Sequence, residues 1–562
     1  MSYPNTPEAP ISLDRMALGG DAVGRLPSDD PARAGPVLFV PFGAPGDRVV
    51  LASLDTKKSP ARGWIAHVTE SSPHRVPPPC PHFFQPGRSL EKTCGGCQWQ
   101  HLSTEMQKKA KKDLVVESFQ RIARIAHPAV EDTRGADTDQ GRWHYRNKVQ
   151  IPFARLEDGS LTGGFYAPGT RTVVPFDDCP VQDERSLRAF RSVRDYFQKK
   201  DVTVYDPKTD QGWLRHLVVR TATTGDTLVA LVTQSGPVPE AEEFEDHLQK
   251  TCPFVTSVYQ NINDRPGNVV LGPRWKLLGG KPYLEEKLLG LRFRLSPASF
   301  FQVNHAMAEK LYTLAVEMAA PTAFDVAWEL YAGVGAMAQL LAQKARTVWA
   351  VEENDTAVKD GLESVKMNKV NDVRFRSGPC EQVLARNILK DKPIIVLLDP
   401  PRAGCSPQVL KEVMRANPQR IVYVSCDPGT LARDARYLST GGYHLKRCVP
   451  VDLFPQTAHI ESVSLFERVG VSKIVDKKDL AGDSPLPPRT ALQKASKEER
   501  EKRYKPMQPK RPVWENKRGP KPEGTDFKKG PPSYKPPFNG TKDKPRSKPW
   551  QDQKENKPKN LF

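Results

Sequence analysis

No stretch of this chain approaches the roughly eighteen consecutive apolar residues that cross a bilayer as a helix, so no membrane span is expected. The start, Met1-Ser2-Tyr3-Pro4-Asn5, has no charged region leading into an apolar one, the pattern of a secretory leader. Cysteine is sparse, nine in 562 residues, which excludes a disulfide-stapled scaffold and favours reduced thiols or metal ligation. These absences predict a soluble, cytoplasmic protein. A complete G-x-G-x-x-G and the Lys-Ser/Thr of a P-loop are also missing, which argues against a cofactor held by its pyrophosphate.

What is present begins with charge. The chain carries 84 Lys+Arg against 66 Asp+Glu, a formal net charge of +18. The excess is uneven, since residues 471–562 hold 25 Lys+Arg against 12 Asp+Glu and the remainder 59 against 54. That segment has 15 prolines, no hydrophobic periodicity, and isolated Tyr504, Trp514, Phe527, Tyr534, Phe538, Trp550 and Phe562. No core can form from such a composition, so a disordered basic tail is expected. Cations interleaved with rings suit single-stranded RNA through phosphate attraction and base stacking, a solubilising tail being the plain alternative.

The length predicts about three or four domains. Between Ile11 and Glu70, short strand candidates at Val37–Val40, Arg48–Leu51 and Trp64–Val68 are separated by Gly- and Pro-containing turns, as in a small barrel of the oligonucleotide-binding kind. Cys80, Cys94-Gly95-Gly96-Cys97 and Cys179 follow; the two glycines let the backbone fold tightly with both sulfurs toward one site, which zinc or an iron–sulfur cluster would fill. Thr104-x-x-Gln107 reads as a capping box opening a helix to about Ile125, whose other face carries Lys108, Lys109, Lys111 and Lys112. Such a run is a solvated face or a phosphate-facing stripe. Strand patterns dominate from about Trp143 to Leu291.

From Asp325 short apolar strands alternate with helices, which predicts a parallel, doubly wound sheet. Trp328-Glu329-Leu330-Tyr331-Ala332-Gly333-Val334-Gly335 reads as a strand and turn into a helix over Ala336–Ala342, and a second strand ends at Glu352, 17 residues after Gly335. A carboxylate there is placed for a ribose diol, which favours S-adenosylmethionine. A third strand runs into Asp399-Pro400-Pro401-Arg402, and a fourth, Ile421 to Ser425, leaves Cys426 at its exit before Asp427-Pro428. With Glu461 in His459-Ile460-Glu461, a thiol and two carboxylates suggest covalent catalysis.

At these residues the chain resembles the RNA uracil-5-methyltransferases that use S-adenosylmethionine. The likeness covers roughly residues 11–468 and rests on Ser299-Phe300-Phe301-Gln302-Val303-Asn304, Glu329-Leu330-Tyr331-Ala332-Gly333, Leu398-Asp399-Pro400-Pro401-Arg402-Ala403-Gly404, Tyr423-Val424-Ser425-Cys426, Thr430-Leu431-Ala432-Arg433-Asp434 and His459-Ile460-Glu461. The barrel and four cysteines resemble the branch that methylates 23S ribosomal RNA and carries a 4Fe–4S cluster. The resemblance implies an α/β Rossmann-like methyltransferase domain with an N-terminal TRAM/OB-like β-barrel, a central α+β domain and the basic tail. Its boundaries would be 8–70 for the barrel, 75–99 with 140–290 for the central domain, 100–135 with 291–468 for the methyltransferase domain and 471–562 for the tail.

The implied roles are Cys426 as nucleophile and Glu461 as base. Gln302, Tyr331, Gly333, Gly335, Glu352 and Asp399 would form the cofactor site, Phe300, Asp399 and Gln302 would hold the substrate base, and Cys80, Cys94, Cys97 and Cys179 would ligate the cluster. Cys426 would add to carbon 6 of a flipped-out uracil so that carbon 5 takes the methyl group, after which Glu461 removes the carbon-5 proton. RNA is the implied partner, without a membrane, and the chain is expected to act as a monomer. Three departures stand out: 13 residues separate Cys80 from Cys94, enlarging that loop; Ala336 replaces an Asn that contacts cofactor in some members; and Asp427 replaces an Asn, adding a carboxylate that would raise the thiol's pKa if charged nearby. Three other readings are a tRNA uridine-5-methyltransferase, a methyltransferase of base amino groups with Cys426 merely buried, and a non-catalytic RNA-binding or ribosome-assembly factor.

Overall fold

The computed structural model describes residues 9–469 apart from 29–32, 58, 201, 268, 387–388 and 390; the expected basic tail lies outside the described residues. Gly- and Pro-rich turns punctuate five strands, β1 (Ile11–Met16), β2 (Ala22–Arg25), β3 (Val37–Val40), β4 (Arg48–Asp55) and β5 (Ala61–Glu70). They close into a barrel in the order β1-β2-β3-β5-β4. Alternate residues of β5 (Ala61, Gly63, Ile65) turn inward, the period-2 pattern of a strand with one wet face. The barrel core (Leu13, Leu38, Val49, Ile65) is continuous with Trp99 and with the apolar face of helix α1 (Thr104–Ser118).

Strands β6 (Lys148–Arg155), β7 (Leu161–Tyr166) and β8 (Val173–Pro175) precede helix α2 (Glu184–Gln198), and β9 (Leu214–Thr221) and β10 (Thr227–Thr233) precede α3 (Ala241–Thr251). With β11 (Val255–Ile262) and β12 (Arg274–Gly280) they form a sheet ordered β12-β11-β10-β9-β6-β7-β8. It is antiparallel except where the α3 crossover makes β10 and β11 parallel. Odd-numbered β6 residues Val149, Ile151 and Phe153 share a core with Phe190 and Phe197 of α2. A hairpin, β13 (Leu284–Leu288) and β14 (Leu291–Leu295), then leads to α4 (His305–Ala319).

The C-terminal part alternates β15 (Val326–Leu330), α5 (Ala336–Ala342), β16 (Thr347–Glu352), α6 (Asp355–Asn368), β17 (Val373–Ser377), α7 (Cys380–Ala385), β18 (Ile395–Leu398), α8 (Pro407–Ala416), β19 (Arg420–Ser425) and α9 (Pro428–Ser439), and ends in β20 (Tyr443–Val451) and β21 (Glu461–Arg468). The sheet order is β17-β16-β15-β18-β19-β21-β20. Strand order reverses at β15, whose carboxyl end lies beside that of β18, the crevice where open α/β sheets bind ligands. The wholly parallel sheet expected from sequence is corrected at one edge, where β21 inserts antiparallel between β19 and β20. This reversal delivers Glu461, the first residue of β21, to the same end as Ser425, the last of β19.

Two expectations for α1 are corrected. The cap is Ser103, whose hydroxyl accepts from the Met106 amide at 3.2 Å. Gln107 is not a capping partner: its amide side chain donates to Trp99 O, Leu102 O and Gln456 Oε1, each at 3.0 Å, and accepts from Gln456 N at 2.9 Å. The lysine run is a solvated face at Lys109, whose side chain is 66% exposed, and at Lys112, but not at Lys111. Lys111 is fully buried against Asp452 at 2.5 Å, while Lys109 and Lys112 pair with Asp113 and Asp132. Helical spacing showed the run but not which member faced inward.

Removing one partner of a buried ion pair leaves an uncompensated charge, so Lys111→Met is expected to cost about 3–5 kcal/mol. Replacing both, with Lys111→Met and Asp452→Leu, should restore most of the loss. Urea denaturation followed by fluorescence checks this; equal midpoints for wild type and Lys111→Met would show the pair to be energetically neutral.

Candidate active site

The loops at the carboxyl ends of β15, β16, β18 and β19 enclose a cavity of about 900 Å³. Phe300, Gln302, Tyr331, Gly333, Glu352, Asp399, Cys426 and Glu461 all line it. Gly335 does not. It caps α5 outside the cavity, and a Cβ there would lie 2.5 Å from Phe375, so its small size serves packing. Ala336 is likewise buried in the core beside it.

Glu352 is pinned by two main-chain amides, Gly333 N to Oε2 and Asn354 N to Oε1, both at 2.8 Å. Each oxygen keeps acceptor capacity toward the cavity, as a ribose diol requires. Above it Tyr331 adopts φ 65°, a left-handed conformation that costs a non-glycine residue on the order of 1–3 kcal/mol and clusters at ligand sites.

The Asp399–Gly404 loop is braced from α9. Asp434, buried, accepts from Tyr423 Oη at 2.7 Å and from Cys405 N at 2.8 Å, while Arg433 donates to the carbonyls of Ala403 and Cys405 at 2.9 and 3.2 Å. Gly404, at φ 73°, has no room for a side chain: a Cβ would lie 2.5 Å from Arg433 Nη2. The Thr430–Asp434 motif is thus a positioning device for the loop bearing Asp399.

Burial dominates the electrostatics. The Cys426 thiol is pushed up to about 12, by burial first and then by the Glu461 and Asp399 carboxylates, with Arg402 opposing. Burial lifts Asp399 to about 7, and burial with the Asp399 charge holds Glu461 well above the carboxylate range against Arg402 and Lys111. Asp427, expected to raise the thiol if charged nearby, caps α9 by accepting from Thr430 N at 2.8 Å, and the carboxylates that raise the thiol most are Glu461 and Asp399. Arg402 and His459 were not singled out from sequence; they meet in the cavity wall, Nη2 to Nδ1 at 3.2 Å. No motif spacing signals that contact across two loops.

The four cysteines of the expected cluster line a second cavity of about 470 Å³ that shares Phe300 and His459 with the first. All four are free thiols. Cys94 is pushed up to about 12 and Cys179 to about 11, chiefly by burial and further by neighbouring cysteines. Beside Cys94, the Gly95 amide donates to Tyr166 O at 3.0 Å, and a Cβ would lie 2.6 Å from that oxygen. Among the described residues, no group of three or more His, Cys, Asp or Glu could hold a metal ion.

The family model for tRNA (uracil-5-)-methyltransferase matches residues 276–469. An RNA methyltransferase of Halalkalibacterium halodurans is 36% identical over 438 residues, covering 77% of this chain and 92% of that one. The chain belongs to the RNA uracil-5-methyltransferase family. An RNA methyltransferase of Gloeobacter violaceus is also 36% identical, over 82% of this chain and 96% of the relative. Among solved structures, the tRNA (uracil-54, C5)-methyltransferase of Pyrococcus abyssi in complex with S-adenosyl-L-homocysteine is similar with a TM-score of 0.62 and 27% identity, over 81% of this chain and 99% of that one. As a member of this methyltransferase family the chain uses S-adenosylmethionine as methyl donor.

A thiol raised to about 12 is ionised only to roughly one part in ten thousand at pH 8. Iodoacetamide labelling of Cys426, followed on its peptide by mass spectrometry, is therefore expected to rise about tenfold per pH unit from pH 7 to 9. The cationic S-adenosylmethionine should accelerate labelling at fixed pH, and neutral S-adenosylhomocysteine should not. A plateau below pH 8 would contradict the assigned environment.

Proposed function

We propose that this enzyme transfers a methyl group from S-adenosylmethionine to carbon 5 of a uridine in 23S ribosomal RNA through a covalent Cys426–uracil adduct. The observation that carries the reading is the joint presence of Cys426, Glu461 and Asp399 in one cavity with the pinned Glu352. Carbon 5 of uracil is too weak a nucleophile to take a methyl group unaided. Addition of the Cys426 thiolate to carbon 6 forms the S–C6 bond and moves the ring π electrons toward carbon 5 and the carbon-4 oxygen. Carbon 5 then bonds the methyl group while the donor's sulfur leaves with its electron pair.

Glu461, ionised for this step with help from Arg402 and Lys111, takes the carbon-5 proton; the C–S bond breaks and Cys426 leaves as thiolate. Asp399 and Gln302 orient the base, and Phe300, 65% exposed, offers a ring for stacking. Gln302, Tyr331, Gly333, Glu352 and Asp399 hold the donor. The barrel acts as a TRAM module on RNA flanking the target.

Cys80, Cys94, Cys97 and Cys179 would hold a 4Fe–4S cluster, which would supply a structural, electron-rich centre beside the active site. The shared cavity wall of the four thiols supports the cluster, zinc being the alternative occupant. Transfer RNA is a second reading, favoured by the likeness to the Pyrococcus enzyme over nearly all of that chain.

Glu461→Gln is expected to methylate once and stall, leaving a methylated RNA–protein adduct that survives denaturing electrophoresis and is lost with Cys426→Ala. Wild-type turnover by Glu461→Gln would remove Glu461 from the mechanism. Anaerobically purified protein should be brown with about four irons per chain; colourless protein holding zinc would overturn the cluster. Mapping 5-methyluridine in ribosomal and transfer RNA of a deletion strain decides between the two RNA readings.

A further inference from the structure

A third cavity, of about 870 Å³, lies in the central sheet and has no part in the chemistry above. Tyr166, Tyr205, Arg155, Arg171, Arg215 and His216 line it, and Asp206 is the sole acid in its wall. Tyr166 is 38% exposed. Arg215, buried, stacks its guanidinium 3.9 Å over the Tyr205 ring and donates to the carbonyls of Asn263 and Arg265, yet its Nε has no partner. His216 is 8% exposed with Nδ1 also lacking a partner. Both atoms are closed off from the cavity, so what it offers a ligand is the exposed Tyr166 ring and the charges of its arginines. Arg155 and Arg171 add positive charge, each donating to main-chain carbonyls.

This cavity continues a line that begins at the active site. Phe300 and His459 are common to the active-site and cysteine cavities. Lys148 and Gln150 line the cysteine cavity, while Pro152 and Ala154 line the outer one. All four are even-numbered residues of β6 and share one face of the strand, joined by Val149 at the cysteine cavity and by Phe153 and Arg155 at the outer one. The strand pairing places Arg220 beside Lys148 and His216 beside Pro152 on the same face. The Gly95–Tyr166 hydrogen bond joins the walls of the two cavities. At the usual strand rise, Lys148 to Ala154 spans about 20 Å, the reach of several nucleotides.

We infer that the RNA strand leaves the active site past Phe300 and His459, runs along β6 outside the cysteine cavity, and seats a nucleotide in the outer cavity. Its base stacks on Tyr166, and its phosphate meets the arginines. Aromatic faces beside cations bind successive nucleotides with little demand on sequence. This rests on the reading of RNA as substrate, and it makes the central sheet the part that measures the length of RNA flanking the target.

The test compares a short stem-loop ending close to the target uridine with a longer RNA carrying about ten further nucleotides on each side. Binding is read by fluorescence anisotropy and methylation by transfer of labelled methyl groups. Wild type should bind the longer RNA more tightly. In Tyr166→Ala and in Arg171→Ala, two surface changes, KM for the long RNA should rise roughly 5- to 100-fold, the range expected for one lost stacked base, with kcat and the short-RNA kinetics unchanged. Unaltered affinity of both variants for the long RNA would overturn the proposal. So would an equal loss of affinity for inorganic polyphosphate, which would make the cavity a site for anions alone. Wild-type protein that binds long RNA through these residues but methylates no uridine would sink the proposed activity and leave the groove standing.

Discussion

Helix α1 holds the catalytic end of the chain in place through two buried polar ties to one loop. Lys111 reaches Asp452 and the Phe454 carbonyl, at 2.5 and 3.1 Å, and Gln107 spends its whole side-chain amide on Gln456 and neighbouring main chain. Tyr145 adds a hydrogen bond to Pro455 O at 3.0 Å. The loop so fixed connects β20 to β21, and the first residue it releases is Glu461. Its side chain shares a cavity with the Cys426 thiol, and in the proposed mechanism it faces a substrate carbon as well, so a small slip of this loop would separate the two groups. In a low-dielectric interior such satisfied networks are rigid, and Lys111 also supplies one of the two positive charges that draw on Glu461.

The same economy governs the cavity. Two buried carboxylates and a buried thiol cannot all be charged together without compensation, and Arg402 is the cation at hand. The free enzyme therefore rests in a largely neutral state, with Cys426 protonated. A positively charged methyl donor changes that balance on arrival, so nucleophile strength is tied to occupancy of the donor site. Tyr331, in its left-handed conformation, and Glu352, held by two amides, sit at the donor side of this arrangement.

Much of this was legible from residue order. The strand preceding Glu352, the helix over Ala336–Ala342 and the exit of a strand at Cys426 follow from apolar runs ended by acids, glycine or Asp-Pro, and local signals of that kind report local structure. What was illegible depends on partners far away. Lys111 looks like its neighbours until Asp452, 341 residues on, is brought beside it. Gln107 matches a capping pattern, but its partner is 349 residues away. The insertion of β21 antiparallel between β19 and β20 is a matter of topology, which periodicity does not encode. Asp427 was read as a carboxylate beside the thiol, and its role as cap of the helix that follows was not.

The long span between Lys111 and Asp452 has a consequence for synthesis. At elongation rates of about 5–20 residues per second, the span of 341 residues from one to the other takes roughly 17–70 s to make. Throughout that interval Lys111 lacks Asp452 and Gln107 lacks Gln456, and the loop that carries Glu461 does not yet exist. The barrel and central sheet precede Asp452 in the chain, and the wall that brings Glu461 into the cavity with Cys426 closes only when the β20–β21 hairpin docks. Synthesis thus completes this cavity last.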